Sequence, residues 1–101
     1  MNHSSQTFEV HQTEFFRKWL AGLKDKHAKV RVLTRLERVQ RGLLGDANFF
    51  EGIGELRIPY GPGYRLYFVQ RGETVIFLLN GGDKSSQRRD IEKAKDIARR
   101  L

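Results

Sequence analysis

Apolar residues in the first part of the chain follow a short alternation and then a helical spacing. The alternation in TFEVHQ (Thr7 to Gln12) predicts a first strand. Beyond it, Phe16, Leu20 and Leu23 recur at helical steps. Thr13 stands just before this run, where a threonine commonly caps a helix, so we predict a first helix that starts after Thr13.

A second helix is predicted between Asp25 and Gly42. Its apolar stripe consists of Val32, Leu33, Leu36 and Val39. An aspartate before a helix and a glycine after it are common end signals, because the carboxylate accepts free N–H groups and the glycine adopts a left-handed conformation. The lysines and arginines of this segment lie mostly off the stripe, which indicates a long, amphipathic and basic helix.

After residue 54, apolar residues recur at every second position. Residues 43–54 (LLGDANFFEGIG) contain glycines and no sustained period, so we predict a connection there. Residues 55–69 alternate on both sides of the turn signal YGPG, which predicts a hairpin. TVIFLLN (Thr74 to Asn80) is apolar at consecutive positions, as in a central strand covered on both faces. Residues 86–101 return to helical steps and predict a last helix.

The predicted order is therefore β-α-α-β-β-β-α, in one compact α+β domain that covers residues 1–101. Strands joined by tight turns run antiparallel, so we expect an antiparallel sheet with helices packed against it. A chain of this length buries roughly 60–70% of the surface that its unfolded form exposes, which is enough for one hydrophobic core.

The net charge of +7 is concentrated in two segments, with +5 in residues 24–41 and +3 in residues 83–101. Basic clusters on a small domain favour a polyanionic partner, nucleic acid first, because lysine and arginine neutralise phosphates and release counterions. A solvated helix face and an acidic protein partner are the alternatives. The candidate RNA-binding residues are Lys29, Arg31, Arg35, Arg38, Tyr67 and Arg88.

The composition does not favour a metal site, a disulfide or a membrane segment. The chain has no cysteine, and His3, His11 and His27 lack metal-ligand spacing, so we expect no metal and no other cofactor. The N-terminal residues lack the order of a signal peptide, and no apolar run approaches the roughly 20 residues needed to cross a bilayer. We expect a cytoplasmic protein without a membrane partner.

The stretch GGDKSSQ (residues 81–87) combines glycines with Lys84, as phosphate-binding loops do. A P-loop needs a lysine directly after its last glycine, but here Asp83 intervenes, and the earlier glycine of the motif is missing as well. A strand-to-helix turn capped by Asp83, Ser85 or Ser86 explains every residue of the stretch except the lysine. A cation near a helix N-terminus is mildly unfavourable, which makes Lys84 a candidate site residue.

Arg57 and Arg65 are expected to lie on adjacent strands of the hairpin, on the face away from its apolar residues. Two close arginines without an evident carboxylate partner suit a bound phosphate. Solvation, or pairing with Glu55, Glu51 or Glu73, is the alternative. The end of the following strand brings Lys84 to the rim of the same sheet, so the three cations are predicted to converge.

Two tyrosines of the hairpin have different expected roles. Tyr67 lies on the Arg65 face, where its ring could stack on a base, whereas Tyr64 shares the face of the core residues and is expected to be structural. His11 and His27 belong to no discernible constellation, so we assign them no role in proton transfer.

Three stretches occur together in this chain: GELRIPYGPGYRLYF (54–68), VIFLLNGGDKSSQ (75–87) and DIEKAKDIARRL (90–101). Together they resemble the RelE/ParE superfamily of bacterial type II toxins, and within it the HigB-related branch of addiction module killer proteins. The resemblance covers essentially the whole chain. The combination of GYR in a hairpin with GGDKSSQ before a final helix is fairly specific for that branch.

The resemblance implies a microbial-ribonuclease-like domain and a toxin function. RelE-like members cut messenger RNA in the ribosomal A site and are silenced by a cognate antitoxin, often a small helix-turn-helix protein in this branch. Cleavage uses the 2′-OH of the RNA itself, so no metal or cofactor is needed. The expected activity is that of an mRNA endoribonuclease, and the expected partners are mRNA, the ribosome and an antitoxin.

The resemblance also assigns catalytic candidates. Arg65 looks like the arginine that contacts the scissile phosphate, and Lys84 falls where these toxins have a basic residue after a strand. Arg57 lies near a basic position of the preceding strand, but its spacing from GYR differs by one residue from that of the family. The last helix has no tyrosine of the kind some RelE members carry, so no general base is assigned. Two other functions stay open: a ParE-like toxin that inhibits DNA gyrase without cutting RNA, and a non-catalytic basic binding module.

Overall fold

Five strands and three α-helices make up residues 7–101, the part of the chain that the computed structural model describes. In chain order they are β1 (Glu9–Gln12), α1 (Glu14–Ala21), α2 (Lys26–Gln40), β2 (Ala47–Phe50), β3 (Ile53–Ile58), β4 (Tyr64–Arg71), β5 (Val75–Gly82) and α3 (Gln87–Arg99). A short 3₁₀ turn, Lys84–Ser86, precedes α3. His3 lies outside the described residues.

The strands form one sheet in the order β1-β5-β4-β3-β2. Strands β2 to β5 pair antiparallel with their neighbours, whereas β1 pairs parallel with β5. The expected antiparallel sheet is therefore confirmed for four strands and wrong for β1. The reason is connectivity: two helices follow β1, and a strand that joins the sheet through such a crossover is not forced into the antiparallel direction that a hairpin imposes.

The connection predicted for residues 43–54 contains a strand, β2. A tight turn joins it to β3, and the two turn residues Glu51 and Gly52 have positive φ angles of 51° and 85°. Phe49 in this strand is 62% exposed, and its ring meets that of Phe68 edge-on at 5.6 Å between centroids. Because β2 is a short edge strand with an exposed aromatic residue, it shows no alternation that a periodicity argument could detect.

Both predicted N-caps are confirmed. The Thr13 Oγ1 atom accepts a hydrogen bond from the backbone N–H of Phe16 at 3.1 Å and donates one to the carbonyl of Leu79 at 2.5 Å. The Asp25 carboxylate accepts two backbone N–H bonds from the first turn of α2, at 2.9 and 3.2 Å. Thr13 therefore does more than start α1, since it also ties that helix to β5.

Apolar side chains cover both faces of the sheet. The core between the sheet and α1 and α2 includes Phe16, Val32, Leu36, Val39, Leu56, Leu66, Phe68, Ile76 and Leu78. The core under α3 consists of Ile53, Tyr67, Val69, Leu79, Ala94, Ile97 and Ala98. Side chains two residues apart in a strand share a face, so Arg65 lies on the α3 side of the sheet together with Tyr67.

Candidate functional site

The sheet register places three positions of the candidate site in one row. Arg57 of β3 lies opposite Arg65 of β4, and Arg65 lies opposite Gly82 at the end of β5. The backbone N–H of Lys84 donates to the carbonyl of Pro62 in the hairpin turn at 3.3 Å. The turn after β5 is thereby held against the β3–β4 hairpin.

Gly63 lies beside the guanidinium of Arg65 and the base of the Lys84 side chain. A Cβ atom built on this glycine would lie 3.2 Å from Arg65 Nη1 and 3.5 Å from Lys84 Cβ. The residue has a φ angle of +79°, a conformation that a larger residue rarely adopts. The structure therefore brings Arg65 and Lys84 together around a glycine that leaves space between their side chains.

Arg65 is largely buried and has a buried counter-ion. Its side chain is 12% exposed, and its Nε atom lies 3.4 Å from Oε2 of Glu55, whose side chain is 2% exposed. The same carboxylate accepts a hydrogen bond from Gln87 Nε2 at 2.9 Å, and Arg65 Nη1 donates to the carbonyl of Gly63 at 2.7 Å. The Nη1 bond orients the guanidinium toward Gly63, whereas the buried Nε atom is held near Glu55 by charge and makes no well-formed hydrogen bond within the described residues.

Arg57 also has a carboxylate partner. Its Nη2 and Nε atoms lie 2.8 and 3.3 Å from Asp46 Oδ1. The hydrogen bond from Arg57 lowers the pKa of Asp46, and the same bond raises the pKa of Arg57. The expectation that Arg57 and Arg65 lack carboxylate partners is therefore wrong. Asp46 belongs to the segment predicted as a plain connection, and pairing with Glu55 was the alternative considered for Arg65.

Tyr67 is not available to stack on a base, so its prediction as an RNA-binding residue is wrong. The side chain is 0% exposed because α3 covers this face of β4. Burial, and then the nearby charges of Glu55 and Asp90, raise the pKa of Tyr67. Its hydroxyl makes no well-formed hydrogen bond within residues 7–101. Tyr64, expected to be structural, does pack against the core under α1 and α2.

A buried polar cluster fixes the start of α3 over the end of β5. The Asp90 carboxylate occupies the space above Gly82, where a Cβ would lie 1.8 Å from its Oδ2 atom. Ser86 donates its hydroxyl to this carboxylate, and Asn80 Nδ2 donates to the backbone carbonyl of Asp90 at 3.1 Å. Sequence reasoning missed Gln87 and Asp90, whereas it had named Glu55, on the same strand face as Arg57, as a possible partner of the arginines.

The turn that carries Lys84 is capped as predicted. Asp83 accepts a hydrogen bond from the backbone N–H of Ser85 at 2.8 Å and another from its hydroxyl at 2.5 Å. The hydroxyl bond is the main reason why the pKa of Asp83 is lowered. Within the described residues, neither Lys84 nor Arg88 forms an ion pair, and both are exposed.

Arg35 is a structural clamp, so its prediction as a free RNA-binding cation is wrong. Its Nε, Nη1 and Nη2 atoms donate to the backbone carbonyls of Leu44, Arg57 and Asp46 at 3.0, 2.7 and 2.6 Å. Burial lowers the pKa of Arg35. The guanidinium thereby ties α2 to the loop before β2 and to the end of β3.

The other predicted cations of α2 keep their charge at the surface. Arg31 lies over the ring of Tyr60, with Cζ 4.5 Å from the ring centroid. Arg38 is exposed and Lys29 is half-buried; neither has an ion pair in residues 7–101. These three residues stay RNA-binding predictions.

The described residues contain no group of three or more histidine, cysteine, aspartate or glutamate side chains suited to a metal ion. His11 stacks on Phe77 at 5.2 Å between centroids and pairs with Glu9. None of the helices in this part of the chain is long and apolar enough to span a bilayer.

Comparison with known proteins finds a relative in sequence and relatives in structure. No family model matches the chain. A protein of Haemophilus influenzae, described only as uncharacterized, is 42% identical over 96 residues, which are 94% of this chain and 97% of that protein. This chain belongs to the same family as the Haemophilus protein.

Two solved structures share the fold at low sequence identity. A mutant of the Escherichia coli toxin RelE in the free state aligns with a TM-score of 0.71 and 19% identity, covering 91% of this chain and 99% of that one. The toxin–antitoxin complex RelBE2 of Mycobacterium tuberculosis contains a chain that aligns with a TM-score of 0.59 and 18% identity, covering 83% and 99%. The chain has the RelE fold. Membership of the RelE/ParE superfamily, and of its HigB-related branch, stays a prediction.

Proposed function

We propose that the protein is the toxin of a type II toxin–antitoxin system and a ribosome-dependent endoribonuclease that cleaves mRNA. The observation that carries the proposal is the site at Gly63, where a buried, oriented Arg65 and an exposed Lys84 meet on the fold of the toxin RelE. Cleavage uses the 2′-OH of the RNA as nucleophile and needs no metal or cofactor. The partners are mRNA, the ribosome and a cognate antitoxin of the helix-turn-helix kind, and the protein acts in the cytoplasm.

The two cations suit the electrostatic demand of this reaction. When the 2′-oxygen attacks phosphorus and the 5′-oxygen leaves, negative charge grows on the phosphoryl oxygens. Donors that are already in place stabilise that charge without reorganising, which is usually the largest single contribution to catalysis. Arg65 meets this requirement because Glu55 and the Gly63 carbonyl fix its guanidinium. Lys84 supplies a second, mobile charge beside it.

Arg57 has an assisting role in this proposal. Its side chain is 41% exposed and forms an ion pair with Asp46. It therefore contributes less to the transition state than Arg65 and serves to attract the RNA. The exposed Arg88 at the start of α3, together with Arg31, Arg38 and Lys29 on α2, extends the basic surface.

Induced expression tests this function. Growth should stop, and mapped 5′ ends should reveal new cuts within translated messages. Lys84→Ala should abolish both effects, whereas Lys24→Ala, which removes the same charge from an exposed site without an ion pair among the described residues, should leave both unchanged. Arrested cells with intact messages would refute the proposal.

A ParE-like toxin that inhibits DNA gyrase is the second candidate. It is favoured by the chemistry around Arg65, where the contacting groups are a carboxylate and a backbone carbonyl, with no histidine among them. Its signature would be DNA-damage signalling in arrested cells whose messages are intact. A non-catalytic basic binding module would produce no growth defect at all.

A further inference from the structure

A second basic region lies between α2 and the end of β3. It is an open groove with a volume of about 440 Å³, here called the α2 groove. Its polar lining residues are His27, Arg31, Thr34, Arg35, Arg38 and Tyr60. None of the residues that line it takes part in the contacts of Arg65 or Lys84 described above, so the groove is distinct from the candidate active site.

The positive charge of the α2 groove is not compensated inside it. Three arginines and one histidine line the groove, and none of the lining residues is a carboxylate. The neighbouring Asp25 accepts a hydrogen bond from the hydroxyl of Tyr60 at 2.9 Å, besides capping α2, so its oxygens are already engaged. A groove that presents arginines and no carboxylate is complementary to an anion.

Arg31 is supported within the groove before any ligand arrives, because its Cζ atom lies 4.5 Å from the centroid of the Tyr60 ring. Arg35 is bound to three backbone carbonyls, so it holds the wall of the groove together and is not a ligand contact. Arg38 follows Arg31 by seven residues, which is two helical turns or about 10 Å along the same face of the helix. Thr34 lies between them and offers a hydroxyl donor.

We propose that the α2 groove binds single-stranded RNA. Arg31 and Arg38 contact backbone phosphates, and Thr34 donates a hydrogen bond between them. The Arg31 guanidinium, stacked on Tyr60, leaves its other face for one base, because bases stack on arginine planes. The Tyr60 ring and the Arg31 guanidinium together favour RNA over an acidic peptide. A base can stack on this surface, whereas the carboxylates of a peptide would interact with it through charge alone. The inference deepens the proposed function and rests on it for the biological source of the RNA.

Binding of a short single-stranded RNA with 2′-O-methyl riboses, which resists cleavage, tests the groove by fluorescence anisotropy. Arg31→Ala and Arg38→Ala should each weaken binding about 5- to 10-fold at low salt and reduce the salt slope by about 1. The matched control is Arg41→Ala, directly after the last residue of α2, outside the groove and paired with Glu37 at 2.8 Å. It should change the affinity less than about twofold.

Two results would overturn the inference. One is RNA affinity in the groove variants equal to that of Arg41→Ala, with all variants folded by circular dichroism. The other is an acidic peptide that binds the wild type more tightly than RNA does and loses affinity in the same two variants. Failure of the proposed function looks different: the groove variants would lose RNA affinity, yet the wild type would leave translated messages intact.

Discussion

Arg65 and two arginines of the α2 groove, Arg31 and Arg38, are organised in opposite ways. Arg65 is 12% exposed and is placed against a carboxylate that is itself buried, at 3.4 Å. Arg31 and Arg38 line an open groove that contains no carboxylate. Arginine thus has two uses in this protein. A buried and oriented arginine is suited to stabilise the charge of a transition state, whereas exposed, unpaired arginines are suited to attract a polyanion.

The difference also has consequences for stability. A buried ion pair loses the hydration of both ions, and removal of one partner leaves the other charge uncompensated. Exposed arginines carry little of the stability of the fold. Substitutions in the two regions should therefore differ in kind: those at Arg65 should affect folding and reaction together, and those at Arg31 and Arg38 should affect binding alone.

The largest expected effect follows from Arg65→Ala. Glu55 would stay buried with only Gln87 as a hydrogen-bond partner, so we expect a loss of about 3–5 kcal/mol in the free energy of unfolding, measured by urea denaturation. Combining the change with Glu55→Gln should recover part of the loss, because the stranded charge is removed. Equal free energies of unfolding for Arg65→Ala and the exposed control Arg57→Ala would contradict the claim that the buried arginine stabilises the fold more than exposed ones do.

Arg35→Ala should be next in size. It removes three hydrogen bonds from a guanidinium to backbone carbonyls, so we expect a loss of about 2–3 kcal/mol. Arg38→Ala on the same helix should change stability by less than about 0.5 kcal/mol. Thermal and urea unfolding of the two variants would check this, and similar losses in both would show that the groove arginines are structural.

Glu55→Gln should slow the reaction while leaving RNA binding nearly intact. The amide keeps the shape of the side chain but no longer holds the guanidinium by charge, so Arg65 loses its fixed orientation. We expect the cleavage rate on programmed ribosomes to fall about 10- to 100-fold, as small misplacements of a catalytic group do. Affinity for the 2′-O-methyl RNA should stay within about twofold. A wild-type cleavage rate would speak against a positioning role for Glu55.

The smallest expected effect is on pH dependence. The hydrogen bond from Arg57 lowers the pKa of Asp46 below its unfolded value of about 3.9. This carboxylate therefore stabilises the fold above about pH 4, and the contribution is lost as the pH falls through the lowered folded pKa. Asp46→Asn should give a shallower loss of stability between about pH 4 and pH 2, measured by urea unfolding. An unchanged slope would mean that the exposed pair contributes nothing.

The sequence predicted the elements that carry a strong period or a specific end residue. Thr13 and Asp25 cap α1 and α2, and Arg57 and Arg65 lie on adjacent strands of the hairpin, as expected. Strand β2 was missed because it is a short edge strand with an exposed Phe49, which leaves no alternation to detect. Local patterns also carry no information about which strand meets β1.

For the candidate site, the sequence supplied the cations and missed their surroundings. Alternation along β3 and β4 was enough to place Arg57 and Arg65 on one face, and the failed P-loop pattern left Lys84 as the unexplained residue. It did not show that α3 covers this face and buries Tyr67. Nor did it show that Arg35 bonds to backbone carbonyls, because such contacts depend on loops with no regular pattern.

The most direct test compares Arg65→Lys with Arg38→Ala in cleavage of mRNA on programmed ribosomes over a range of toxin concentrations. Arg65→Lys keeps a charge beside Glu55 and isolates the guanidinium. We predict that Arg65→Lys lowers the saturating rate by about 100-fold or more and leaves the half-saturating concentration nearly unchanged. Arg38→Ala should raise the half-saturating concentration several-fold, by about 3- to 10-fold, and keep the saturating rate. If both variants change the same parameter, the division between a reaction site and a binding groove is contradicted.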